Sequence, residues 1–241
     1  MEEPFFRFSK LSIFPELVHG ISNRNYSDMK FGNLPDSEVV KNRRAFFQDL
    51  GVEESRVIIP KQIHGNQVEV VGINKKGQTP LADGLITMEK DLYLMVMVAD
   101  CLPVLMYDPV LRVTAAVHAG WRGIVSQIIP ETLVKFKNLG SDMENIIVGI
   151  GPGICQKHFI VRSGVLEKFR DNYPKATLLI NNDGYVDLKK AATIDFEKNG
   201  VILSNIEVSK LCTVCDNGIY SSYRKEGSGV IEMAALIGMR K

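Results

Sequence analysis

Cys101-Leu102-Pro103-Val104-Leu105-Met106-Tyr107-Asp108-Pro109-Val110-Leu111-Arg112-Val113-Thr114-Ala115-Ala116-Val117-His118 is the stretch from which the rest of the chain is read. Two apolar runs, Leu102 to Tyr107 and Arg112 to His118, flank Asp108-Pro109-Val110-Leu111. Asp followed by Pro is type I turn chemistry: the carboxylate caps backbone N–H groups and proline presets φ. A hairpin closed there, 108 opposite 111, pairs residues whose numbers sum to 219 and sets Cys101 directly across from His118. Opposed residues on antiparallel strands have Cα atoms about 4.5–5.5 Å apart, which lets two side chains share one metal ion. Pro103 is acceptable only on an edge or in the first residues of such a strand.

Outward from the hairpin, Tyr93 to Val98 is a continuous apolar run, the pattern of a strand covered on both faces. Val57 to Ile63 and Gln67 to Val71 read as strands separated by His64-Gly65-Asn66, the first confined to an edge by Pro60. Asp36 to Leu50 reads as a helix capped by Asp36 or Ser37, with Val39, Val40, Phe46, Phe47 and Leu50 on its apolar face and Gly51 as its stop. After His118, Ala119-Gly120-Trp121-Arg122-Gly123 turns into a helix running to Lys137, kinked or restarted at Pro130. Glu144 to Gly149 is a strand, Ser163 to Asn172 and Leu188 to Asn199 are helices, and Tyr220 to Arg224 and Val230 to Leu236 close the chain as strands. With no repeat or linker, the expectation is one α+β domain over residues 1–241, mixed β-sheets flanked by helices.

Composition removes several function classes. The 241 residues are 45% hydrophobic and 24% charged, ordinary values for a chain that buries a sizeable core. A formal charge of +1 without a long block of one sign argues against nucleic acid or a membrane surface as partner. Met1 to Glu16 mixes charges with aromatics and lacks the apolar core of a signal peptide. The expected location is therefore the cytoplasm, where the four cysteines stay thiols.

Those cysteines and four histidines hold most of the candidate chemistry. His118 has Cys101 opposite it, and His64 sits in a tight turn after an apolar strand. Two imidazoles and a thiolate leave a fourth position open, as catalytic zinc sites do. Asp83 and Asp100 border this set, either as turn and strand-end hydrogen-bond acceptors or as carboxylates that orient a ligand imidazole. Arg122, ahead of the next helix, is the best anion receptor, with Arg24, Arg43 and Arg224 behind it. Cys212-Thr213-Val214-Cys215 lacks a second cysteine pair to complete a zinc knuckle and reads as packed structural thiols; Cys155, near Lys157 and His158, reads as core. The Gly149-Ile150-Gly151-Pro152-Gly153 loop has no Lys-Ser/Thr after it and is no Walker loop.

Taken together, Lys61-Gln62-Ile63-His64-Gly65, Ala82-Asp83-Gly84-Leu85-Ile86-Thr87, Ala99-Asp100-Cys101-Leu102-Pro103-Val104 and His118-Ala119-Gly120-Trp121-Arg122-Gly123 resemble the YfiH-like laccase-domain family. Gly151-Pro152, Cys212-Thr213 and Tyr223-Arg224 extend the likeness along nearly the whole chain. The resemblance implies a zinc-binding purine nucleoside phosphorylase, active on adenosine, inosine and methylthioadenosine, with adenosine deaminase activity. It places the metal, zinc or else copper, on His64, Cys101 and His118. It also implies phosphate and a purine nucleoside as partners of a monomer or weak homo-oligomer. Two other chemistries fit the same residues: a Cys101–His118 hydrolase or amidase editing peptidoglycan precursors, and a copper-dependent polyphenol oxidase, for whose trinuclear cluster four histidines are too few. The departures are Ser22-Asn23-Arg24 where the family commonly has Thr-Thr-Arg, Phe159-Ile160-Val161 in place of a frequent Tyr-Glu-Val, and Val230 where an arginine is often found.

Overall fold

Apolar residues run unbroken through the central strands because both faces of those strands are covered. The computed structural model describes residues 4–75 and 77–241; Met1–Glu3 lie outside the described residues, so the Met1–Glu16 stretch is seen only from Pro4. In chain order the strands are β1 (Leu17–Ile21), β2 (Val57–Ile58), β3 (Val68–Val70), β4 (Gly84–Thr87), β5 (Tyr93–Val98), β6 (Leu102–Asp108), β7 (Val113–Ala119), β8 (Ile147–Ile150), β9 (Ile160–Val161), β10 (Thr177–Ile180), β11 (Asp183–Val186), β12 (Ile206–Val208) and β13 (Met233–Met239). They form a six-stranded sheet ordered β12-β8-β6-β7-β4-β3, a four-stranded sheet ordered β1-β13-β5-β2, and a small β10-β11-β9 sheet. Parallel and antiparallel pairs mix in both larger sheets, so the fold is α+β with mixed sheets.

The two larger sheets lie face to face between helical layers. Leu105, Tyr107 and Ala116 of the six-stranded sheet share a core with Leu94, Val96, Ala235 and Ile237 of the four-stranded one. The alternate residues Val104, Met106, Val113, Ala115 and Val117 face away from that core, onto helices Ile128–Asn138 and Leu188–Lys198. Beyond the four-stranded sheet, Val18, Met95 and Leu236 pack on Phe46, Phe47 and Leu50 of helix Asp36–Leu50. With both faces covered, every residue of β6 and β7 is buried, the polar Asp108, Thr114 and His118 included.

The hairpin forms, but two residues out of the expected register. Asp108 pairs with Val113 and Pro103 with His118, so paired numbers sum to 221 and His118 faces Pro103. Type I geometry does not match the twist of a two-residue hairpin loop, and hairpins use it in longer loops. Here the loop is Pro109–Arg112: the Asp108 carboxylate accepts from Val110 N and Leu111 N at 2.8 and 3.2 Å, and Arg112 adopts φ 57°. A shift of two preserves side-chain parity, so Cys101 and His118 remain on one face, now diagonal neighbours. Pro103 is the second residue of β6, one of the first positions where its missing N–H is acceptable, and pairing with β8 begins only after it, at Val104.

Other expectations shift for local reasons. Pro60 ends β2 after two residues, and the Gln62 side-chain amide takes over pairing with the next strand, exchanging bonds of 2.8 and 2.7 Å with Met97 O and N. Helix Asp36–Leu50 has the expected bounds and its Gly51 stop at φ 69°, but the chain enters through Pro35 without a side-chain cap. The helix after His118 breaks at Gln127, φ 67°, into Trp121–Val125 and Ile128–Asn138. Pro130 falls in the first turn of the second piece, where a missing N–H is harmless. The Tyr220–Arg224 strand is absent; Ser222 instead accepts from Lys225 N at 3.3 Å and caps a helical turn, Tyr223–Glu226. The last strand begins at Met233, later than Val230.

Candidate metal centre

His64, Cys101 and His118 converge, each from the end of a strand or in a turn. One donor atom from each lies within 4.8 Å of the others; His64 is exposed, Cys101 half-buried and His118 buried. The two imidazoles meet edge to face, ring centres 4.8 Å apart. Extending the β4–β7 register, Gly84 with Val117, brings Asp83 opposite His118, and His118 N donates to Asp83 O at 2.7 Å. Gly120 lies across from Cys101, where any Cβ would stand 2.9 Å from the cysteine sulfur. Glycine at 120 thus leaves the thiol its space.

Asp83 organises the cluster from below. Fully buried, it accepts from Ile63 N, His64 N and Gly65 N at 3.3, 3.0 and 2.7 Å, and contacts His118 Nδ1 at 2.9 Å. The three backbone bonds hold the His64 turn, with His64 itself at φ 57°. With Nδ1 donating to the carboxylate, Nε2 of His118 is the nitrogen left to face Cys101 and His64. Burial opposes the charge on Asp83, yet bonds from His118, Gly65 and His64 outweigh it and hold the carboxyl below its usual range. Burial likewise opposes a charged His118, but Cys101 and Asp83 prevail and raise its pKa to about 10. His64 moves the other way: burial first, then His118 and Arg122, push its pKa down.

The remaining candidates divide. Arg122 is exposed, second in helix Trp121–Val125, with its guanidinium 4.6 Å above the Trp121 ring and close enough to influence His64. Arg24 is already engaged by Asn217 O, Tyr220 O and the Glu226 carboxylate, which makes it a tie to the 217–226 segment. Arg43 is buried and donates to Met29 O. Arg224 donates to His158 O and Ile160 O. Asp100 orients no imidazole in the described structure: its oxygens accept from Thr213 Oγ1 at 2.5 Å and Arg224 N at 2.6 Å. His19 is buried and its Nε2 accepts from Phe8 N at 3.0 Å, so burial keeps it neutral with a pKa near 4.

The sequence reading missed a second cluster. Cys155, His158, Cys212 and Cys215, taken there as core and packed thiols, bring four donor atoms within 4.8 Å of one another. His158 Nδ1 lies 3.3, 3.8 and 3.5 Å from the sulfurs of Cys155, Cys212 and Cys215. The missing half of the knuckle is Cys155-x-x-His158, an i,i+3 pair like Cys212-x-x-Cys215.

Comparison with known proteins agrees with the motifs. The chain belongs to the family described as multi-copper polyphenol oxidoreductase laccase, whose model matches residues 13–240. YlmD of Bacillus subtilis strain 168, named a purine nucleoside phosphorylase, is 29% identical over 92% of this chain and 86% of its own. A Mycobacterium tuberculosis H37Rv protein of the same name is 30% identical over 83% of this chain and 79% of its own. Among solved structures, YlmD from Geobacillus stearothermophilus superposes with a TM-score of 0.91 at 25% identity, covering 99% of this chain and all of that one. Bacillus licheniformis YfiH gives 0.88 at 26%, with 93% of each chain covered.

Proposed function

From that membership we propose that this protein is a zinc-dependent purine nucleoside phosphorylase of the cytoplasm, with His64, Cys101 and His118 holding the metal. The observation that carries the reading is the three-donor cluster ordered by Asp83. Two imidazoles and a thiolate suit zinc and leave a coordination position for substrate. They suit copper less well than the family's description suggests. Of four histidines, His19 bonds Phe8 N and His158 joins the other cluster, so only two remain for the site. Zinc bound here supplies Lewis-acid polarisation of an oxygen and acidifies a bound water.

The chain's own residues do the positioning. Asp83 holds the ring of His118 through Nδ1 and the backbone of the turn that carries His64. Arg122 offers a planar, exposed guanidinium beside His64, suited to an incoming phosphate that displaces the purine from C1′ of the ribose. Inosine, adenosine and methylthioadenosine are the proposed substrates, with adenosine deamination at the same site.

Zinc-loaded protein should convert inosine to hypoxanthine and ribose 1-phosphate only when phosphate is supplied. Arg122→Ala should lose about 1.5–3 kcal/mol in kcat/KM, the size of one charged hydrogen bond. Cleavage without phosphate would mean a hydrolase. One observation favours a second reading: Asp83, His118 and Cys101 stand in the order orienter, base and nucleophile. A cysteine amidase on peptidoglycan precursors follows from it. Chelation separates the two, since it stops phosphorolysis and frees a thiolate for acyl transfer.

A further inference from the structure

We propose that Cys155, His158, Cys212 and Cys215 form a second, closed zinc site that braces the strand end carrying Cys101. The donor set is the first reason. Three thiolates and one imidazole fill all four positions of a tetrahedral ion, the composition of a structural zinc. Geometry is the second. Zn–S bonds of about 2.3 Å and Zn–N bonds of about 2.0–2.1 Å, at the tetrahedral angle, put nitrogen and sulfur about 3.5–3.6 Å apart. The three distances from His158 Nδ1, 3.3, 3.5 and 3.8 Å, bracket that edge. Cys155 N also donates to Cys212 Sγ at 3.3 Å, the kind of contact that orients a ligand sulfur.

What the site joins supplies the function. Residues 209–232 contain no strand and only two helical turns, Tyr223–Glu226 and Gly227–Gly229. A loop of that length inside a packed domain needs ties. Lys189 Nζ provides two, to Ser209 O and Leu211 O at 2.7 and 2.6 Å, just ahead of Cys212. Asp100 is the common target of both segments that the cluster links. Ile154 N, beside Cys155, donates to Asp100 O at 3.0 Å; Thr213 Oγ1, beside Cys212, donates to its carboxylate. Asp100 itself is held at φ 80°, a conformation that only surrounding bonds sustain. Zinc in the four-donor cluster therefore fixes Asp100, and through it the adjacent Cys101, whatever reaction the three-donor site performs.

The test is zinc per chain in protein purified without affinity tag or chelator. Two are expected in the wild type, one in Cys215→Ser and one in His64→Ala. Zinc-edge X-ray absorption on His64→Ala should then read three sulfurs and one nitrogen, and this measurement decides the matter alone if Cys215→Ser does not fold. A single zinc in the wild type that disappears in His64→Ala would overturn the site, as would a disulfide among Cys155, Cys212 and Cys215. Amide exchange over residues 209–224 should rise in Cys215→Ser while β6 and β7 stay protected. Unchanged exchange there would overturn the bracing role.

Discussion

The three-donor and four-donor clusters meet at Asp100-Cys101 and are assembled in opposite ways. The four-donor cluster is made of two local i,i+3 pairs, each within one turn, whose segments meet at Cys155 N–Cys212 Sγ and through shared bonds to Asp100. The three-donor cluster is long-range: His64 comes from a turn, Cys101 and His118 come from strand ends, and their meeting depends on the register of β6, β7 and β4. The difference separates completeness from readiness. Four protein donors leave a metal nothing further to bind, whereas three, oriented from behind by a buried carboxylate, leave it reactive.

Breaking the comparison at its strongest point should give the largest effect. His64→Ala, Cys101→Ala and His118→Ala should each lower nucleoside turnover by more than about 100-fold, beyond the loss expected for a supporting residue. Circular dichroism and thermal melting should stay near wild type, since the surrounding core does not need these side chains to fold. Retained turnover in any one removes that residue from the site. Asp83→Asn comes next: the shape survives but the charge opposite His118 Nδ1 is lost, and open-site zinc affinity should fall about 10–100-fold. Equal loss of zinc from both clusters in that variant would show that Asp83 serves the fold in general. The smallest step is set by acidity. His118 binds a proton up to a pH of about 10, and zinc must displace it, so protons compete more strongly as pH falls. Open-site affinity should weaken by up to about tenfold per pH unit between 8 and 6 from this group alone. Titration with a competing chelator at several pH values measures the slope; a flat profile would mean that His118 is neutral before the metal arrives.

The two clusters were also unequally legible in the sequence, in the reverse of what their spacing suggests. The three-donor site has long gaps, from 64 to 101 and from 101 to 118, that match no short metal motif. It was nevertheless reachable through hairpin parity, and the error of two residues in register did no harm because side chains alternate with a period of two. An error of one would have turned His118 toward the helices. The four-donor site has the better local signal, but the partner of the Cys212–Cys215 pair is not a second cysteine pair. Cys155-x-x-His158 meets the same geometric need with an imidazole in place of one sulfur. Asp83 could be singled out as a carboxylate near the site, but its three bonds to the His64 turn exist only once β3 and β4 are side by side. The role of Asp100 was less accessible still, since its partners Thr213 and Arg224 lie more than a hundred residues away.

The order β1-β13-β5-β2 also has a consequence for how the protein is made. β13 is the last of these strands to be synthesised, yet it occupies an interior position, bonded to β1 on one side and β5 on the other. Until it emerges from the ribosome, a nascent chain carries two unpaired strand edges and an uncovered face on the six-stranded sheet. Closing the gap joins residues as distant as Ser22 and Ala234, 212 positions apart, so this step belongs to the slow, non-local class of folding events. Met233, at the head of β13, packs in the small cluster that Cys101 adjoins. The wall behind the candidate active site is therefore finished only once β13 has been made, and a chain stopped short of this strand would carry an intact set of metal donors on an aggregation-prone sheet.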